Sequence, residues 1–175
     1  GRFGVTAGPV VVDAGPLMVL AKLNLLHLLK HLYGEIIVAE AVYREVVDDG
    51  IRQGYQDAAT LYQYFQQEGW QFTQSPATSH LGPTTHLDRG EQESIMLAAE
   101  RGVTLLIDEE EGRTIARSLG LTIRGTLGVL IAAYRADLID SDQLRFYFAE
   151  IERRTNIWIS PALCRRLLRE TLGKE

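Results

Sequence analysis

RGEQESIMLAAERGVTLLIDEEEGRTIARSLGLTIRGTLGVLIAAYR, Arg89–Arg135, is the stretch whose pattern decides the fold. Asp88 just before it suits a helix N-cap, and Glu91 three residues later completes a capping-box-like pattern. The helix runs to about Arg101. Val103–Asp108 follows as an apolar run of strand length that ends in an acid. Glu110–Leu119 has helical character and stops at Gly120, and Leu121–Arg124 is again strand-like. Gly125-Thr126 then opens a helix that reaches Ala136. Strands that alternate with helices in this way predict a parallel sheet covered on both faces.

The N-terminal half repeats the alternation. Val10–Asp13 is a β-branched strand, also closed by an acid, and Pro16–His31 carries leucines at helical spacing, as one helix or two short ones. Glu35–Val38 reads as a strand and Ala39–Val47 as a helix that Asp48-Asp49-Gly50 closes. A helix over Gln53–Gln67, a short strand over Trp70–Thr73 and a Pro/Gly/Ser/Thr loop over Ser75–Thr85 lead into the decisive stretch. Beyond it, Ser141–Arg153 and Ser160–Leu172 read as helices whose apolar positions suit either the core or a dimer surface. Residues 1–8 lack a starting Met and are expected to be a tag scar or a disordered start; residues 9–175 are expected to form one domain with a C-terminal helical extension.

Composition narrows the function classes. The chain has 175 residues, 46% hydrophobic and 23% charged, which is enough for one buried core and gives no sign of disorder. No apolar run approaches the roughly 20 residues needed to span a bilayer. One cysteine, Cys164, permits no internal disulfide and suits a reducing compartment, so a cytoplasmic location is expected. The net charge of −5 argues against indiscriminate coating of DNA. It leaves room for a nuclease, because metal-binding sites are acidic.

Four acids stand out by position: Asp13 and Asp108 end strands, Glu45 lies inside an otherwise apolar helix, and Glu93 sits early in another. Parallel sheets place their sites just outside the carboxyl ends of the strands, near a reversal of strand order. Carboxylates gathered there would resist ionising together, and a divalent cation resolves the conflict. With oxygen donors alone, the ion of choice is Mg²⁺ or Mn²⁺. Each residue also has a plainer explanation. Asp13 and Asp108 each fit a helix N-cap equally well, Glu45 fits a solvated helix face, and Glu93 and Glu91 fit surface acids, Glu91 suiting capping better than ligation. Only the combination points to a metal. His27 and His31 share i,i+4 spacing but lack a third ligand, and Gly125–Gly128 lacks the lysine of a phosphate-binding loop, leaving a tight turn with Thr126 as N-cap. Arg113, Arg117 and Arg124 could touch phosphates or form an ordinary polar face.

Four segments together resemble the PIN-domain family, in particular a VapC-like, PIN-like nucleic-acid-binding subgroup. They are VVDAGPLMVLAKLNLL (11–26), VAEAVYREVV (38–47), RGEQESIMLAAERGVTLLIDEEEGRTIARSLGL (89–121) and RGTLGVLIAAYRADLI (124–139). The resemblance implies a three-layer α/β/α sandwich around a parallel sheet of about five strands. It also implies a Mg²⁺- or Mn²⁺-dependent ribonuclease, in many members the toxin of a toxin–antitoxin pair, with RNA as substrate, a small antitoxin protein as partner and a homodimeric state. Carried onto this chain, the catalytic and metal-ligating acids are Asp13, Glu45, Glu93 and Asp108, with Glu93 acting through water or in orienting the nucleophile and Glu109 and Glu111 in reserve.

One position departs from the pattern. Two residues after the first Asp the family has Ser, Thr or Asn, and here stands Gly15. That opens the alternative of a catalytically weak module that binds RNA or a protein partner. A phosphatase or phosphoacceptor domain is the least favoured reading, since it needs a lysine near the later strands and the chain offers only Lys22, Lys30 and Lys174.

Overall fold

The computed structural model describes residues 7–70, 72–74 and 86–173. Five strands, β1 (Val10–Val12), β2 (Ile36–Ala39), β3 (Phe72–Thr73), β4 (Thr104–Leu106) and β5 (Ile123–Arg124), form one sheet in the order β3-β2-β1-β4-β5. Every pairing is parallel: Val10 lies opposite Ile36 on one side and Thr104 on the other. All three β1 residues are fully buried, as a central parallel strand covered on both faces requires. The strand order runs outward from β1 to β3, then returns across β1 to β4. The reversal therefore falls between β1 and β4.

Among the described residues, ten α-helices surround the sheet. The Leu-rich segment divides into α1 (Ala14–Lys22) and α2 (His27–Leu32), with Asn24 in the left-handed region between them. After β2, α3 (Glu40–Tyr43) continues through a π-helical stretch, Arg44–Asp49, into α4 (Gly50–Arg52). The expectation that Asp48-Asp49-Gly50 closes this helix is therefore corrected. Gly50 is buried and helical, and a Cβ on it would come within 2.6 Å of the Ala58 Cβ. It is glycine because α4 and α5 (Gln56–Glu68) touch there, not because the chain stops.

The rest follows the expected order: α6 (Arg89–Arg101), α7 (Glu110–Ser118), α8 (Thr126–Arg135), α9 (Ser141–Arg153) and α10 (Pro161–Leu172). Helix α6 lies against β1, β2 and β4, while α1 packs with α5 and α8. The last two helices complete the core, since Leu144, Phe148, Ile151 and Cys164 are all buried in it. Burial pushes the Cys164 thiol up to about 11, which makes it an inert packing group. Asp140 caps α9 with a full capping box. The anticipated loop at Ser75–Thr85 and the first six residues lie outside the described residues. No described helix is long and apolar enough to cross a membrane.

Candidate functional site

Strand pairing brings the two strand-end acids together. Val12 lies opposite Leu106, and the Asp13 amide donates to the Leu106 carbonyl at 3.0 Å, so Asp13 and Asp108 leave neighbouring strands at the same edge. Neither acid caps the helix that follows it in the chain. Asp13 stands at the N-cap position of α1 without a side-chain capping bond, and α7 is capped by Glu109 instead of Asp108.

Asp13 is buried, 3% exposed, and accepts from the buried Ser94 hydroxyl at 3.3 Å. Burial, with the Asp88 and Glu45 charges nearby, pushes its pKa up to about 7, against the opposing pull of the Ala14 amide and Ser94. Asp108 is fixed at both oxygens by one residue. The Thr126 amide donates to Oδ1 at 2.7 Å and its hydroxyl to Oδ2 at 2.6 Å. Burial raises the Asp108 pKa, while the two Thr126 bonds and the Arg113 guanidinium pull the other way. Gly125, rather than Thr126, is the N-cap of α8, which leaves the Thr126 hydroxyl free for Asp108.

Two glycines border Asp108. A Cβ on Gly125 would lie 2.9 Å from Asp108 Oδ1 and 3.1 Å from Arg113 Nη1, too close without displacement. A Cβ on Gly15 would lie 3.6 Å from Asp108 Oδ2, an ordinary contact. A side chain at position 15 would thus face the oxygen that the Thr126 hydroxyl already holds. The hydroxyl missing at Gly15 thus has a counterpart in Thr126, on the same Asp108 oxygen.

Glu45, in the π-helical stretch, stands over the start of α6, where a Cβ on Gly90 would be 3.6 Å from Glu45 Oε1 and 3.5 Å from Asp88 Oδ1. Shielding of its carboxyl end, together with Asp88 and Asp49, raises its pKa. Glu93 is buried but turned toward α3: Arg89 Nε donates to its Oε2 at 2.8 Å and the Ala41 amide to its Oε1 at 3.3 Å. The α6 acid that interacts with Asp13 is Glu91. Burial, a hydrogen bond shared with Asp88, and the charges of Asp88, Asp13 and Glu109 push Glu91 up to about 9. Its Oε2 is buried without a hydrogen-bond partner, while its own amide donates to Asp88 at 2.8 Å. Asp88 and Glu91 are thus the acids that a capping role had concealed in the sequence.

These residues border two depressions. One, of about 510 Å³, is lined by Glu45, Asp88, Glu93, Arg44 and Arg89 among others. The second, of about 860 Å³, includes Gly15, Glu45 and Asp108. Glu45 belongs to both.

A family model described as a PIN domain matches residues 9–172. The chain belongs to the PIN-domain family. A comparison with curated proteins gave no match. PIN domains are in general nucleases, and the five-stranded parallel sandwich is the fold expected of one.

The donor set of this PIN domain suits a hard divalent ion. Carboxylates crowd the strand ends, four of them held above their ordinary pKa, and one buried Glu91 oxygen has no partner. Such a set gains from a cation with oxygen preference. Among the described residues no group of three or more His, Cys, Asp or Glu side chains is gathered closely enough to grip an ion, so the acids ring the strand ends without forming a closed coordination shell. His27 and His31 form no such group either; His31 Nδ1 instead pairs with the His27 carbonyl at 2.8 Å.

Proposed function

We propose that this PIN domain is a Mg²⁺- or Mn²⁺-dependent endoribonuclease whose centre lies at Asp13 and Asp108. The observation that carries this reading is the emergence of those two acids from neighbouring strands at the edge where the strand order reverses, the position at which open parallel sheets place their chemistry. Asp13, Asp108, Glu45 and Glu91 would hold the ion. Glu93 would steady α6 against α3, with Glu109 and Glu111 at the rim. When bound, the ion supplies the charge neutralisation and nucleophile activation that in-line displacement at phosphorus needs. The chain's own contribution is orientation. Ser94 steadies Asp13, Thr126 fixes both oxygens of Asp108, and Arg113, donating to the Ile107 carbonyl at 2.8 Å, keeps a positive charge beside them. The alternative of a weak, non-cutting module rested on Gly15, and the Thr126 hydroxyl supports catalysis against it. Toxin action under a small antitoxin, and a homodimeric state, belong to the same proposal on family resemblance.

The test is cleavage of a mixed RNA pool with Mn²⁺ or with EDTA, beside Asp13→Ala. Cutting that needs the metal and vanishes in the folded variant is the expected result. Equal cutting by wild type and variant, or cutting unaffected by EDTA, would overturn the assignment.

A further inference from the structure

Just beyond the acids Asp108–Glu111 the chain changes sign. From Gly112 to Ala136 it carries Arg113, Arg117, Arg124 and Arg135 and no Asp or Glu, the longest acid-free run in a protein of net charge −5. The fold divides these four. Arg124 lays its stem across Gly128 of α8 and reaches the Tyr33 hydroxyl at 3.3 Å, and Arg135 lies in the last turn of α8. Arg113 and Arg117 stay together on α7, about 6 Å apart along its axis. Arg113 is half-buried beside the strand-end acids: a single Cβ on Gly125 would meet both Asp108 Oδ1, at 2.9 Å, and Arg113 Nη1, at 3.1 Å. Its hydrogen bond goes to the Ile107 carbonyl, and Arg117, exposed one turn on, bonds to nothing among the described residues.

Neither guanidinium is ion-paired, whereas eight other described arginines are, so acids are not lacking in the protein but are kept from this pair. The acids at the head of α7 are engaged elsewhere: Glu109 accepts from the Glu111 and Gly112 amides, and Glu111 from the His86 amide at 3.3 Å. On Arg113, the like charge of Arg117 outweighs the attraction of Asp108 and Glu110, and together with burial it lowers the guanidinium's pKa. Two guanidiniums held side by side in this way form a seat that an anion with several oxygens completes. Arginine favours phosphate there, because its planar fork meets two oxygens at once. We propose that Arg113 and Arg117 hold a backbone phosphate of the RNA next to the phosphodiester that reaches Asp108, and so direct the strand away from the acids along α7. The proposal rests on the ribonuclease reading and adds to it the path of the substrate. A contact to the backbone positions the strand and reads no sequence.

The experiment reads binding and its salt dependence. Anisotropy of a fluorescein-labelled RNA oligonucleotide is followed in Ca²⁺ between about 50 and 200 mM KCl. The proteins are wild type, Arg117→Gln, Arg117→Lys and, as a control for net charge, Arg101→Gln, whose arginine is exposed and unpaired at the far end of α6. Arg117→Gln should weaken binding roughly five- to tenfold at low salt and flatten the salt dependence by about one phosphate contact, a slope change of roughly 0.7–1. Arg117→Lys keeps the charge and should restore the slope and most of the affinity. Arg101→Gln should alter neither. An unchanged slope in Arg117→Gln, an equal loss in Arg101→Gln, or no RNA binding by the wild type would overturn the proposal. So would displacement of the RNA by poly-glutamate at equal charge, which marks the pair as a seat for an acidic protein segment. If the wild type binds RNA through Arg117 yet cuts nothing, the phosphate seat stands and the nuclease reading falls. If it cuts but Arg117→Gln binds unchanged, the reverse holds.

Discussion

At the scale of single residues, Asp108 is the most closely determined side chain of the site. Thr126 grips both its oxygens, and glycines stand on either side. Thr126→Val keeps the backbone bond and the side-chain volume but removes the hydroxyl from a buried position. Activity should fall roughly 10–100-fold, as is typical when a partner that orients a metal-binding carboxylate is lost. Thr126→Ser should restore most of it, and an unimpaired valine variant would show that the hydroxyl is ornamental. The two glycines make opposite predictions. Gly125→Ala forces a Cβ to 2.9 Å from Asp108 Oδ1, so metal-dependent cleavage should drop sharply while a thermal melt changes little. Gly15→Ala meets only ordinary contacts and lies in α1, so it should stabilise the fold by about 0.5–1 kcal/mol and leave cleavage intact. Loss of cleavage at Gly15→Ala would mean that the open space beside Asp108 is itself needed. Of this neighbourhood, Asp13 and Asp108 were legible because each ends an apolar strand. Thr126 was not, because a threonine after glycine before a helix looks like a cap until its partner, eighteen residues back in the chain, is brought alongside.

At the scale of elements, the phase of helices decided what the sequence could reveal. Gly90, Glu93, Ser94, Ile95, Leu97 and Ala98 are the buried residues of α6, so Glu93, marked in the sequence only by its place early in the helix, turns inward. What lies inside at that point is α3 and not the strand ends, and Arg89 covers the outer oxygen. Glu91, two residues earlier, projects from a different side of the helix, toward Asp88 and Asp13. Their spacing from the N-cap separates them only as capper and non-capper, Glu91 in the first turn and Glu93 just beyond it; which of them faces the strand ends depends on how far α3 overlaps α6. The same long-range cause undid the expected stop at Gly50. Glycine after two aspartates resembles a terminator, but here it permits α4 to meet α5. Gly50→Ala would press a Cβ to 2.6 Å from that of Ala58 and should destabilise the domain by about 1–3 kcal/mol in chemical denaturation, despite alanine's better helix propensity. Because Glu45 rides on the adjoining π-helical stretch, the variant should also weaken Mn²⁺ binding. A stabilised or neutral Gly50→Ala would show that the two helices separate easily and that the glycine does end a helix after all.

At the scale of the whole molecule, the net charge of −5 matters less than where its most strained part is stored. Without a cation, the strand-end acids oppose the fold, and the pH dependence of stability should reveal it. Asp13 rises from 3.8 to about 7 on folding, so its neutral form is the one the native state favours. Below the unfolded pKa it costs nothing. As pH climbs from about 4 through 7 the native state must either stay protonated or ionise in a buried place, and stability is lost across that window. For Asp13 the loss is on the order of 2–4 kcal/mol. Glu91, raised to about 9, extends the same trend to higher pH. A divalent cation reverses the balance by favouring the ionised forms, but at low pH it competes with protons for the same oxygens. The rise in melting temperature on adding Mg²⁺ should therefore be small near pH 5 and grow steadily toward pH 8. Asp13→Asn, which carries no charge at any pH, should melt higher than wild type in EDTA at pH 8 and respond least to Mg²⁺. A Mg²⁺ effect independent of pH, or a wild type whose metal-free stability climbs from pH 4 to 7, would mean that these acids are paired within the protein and await no ion.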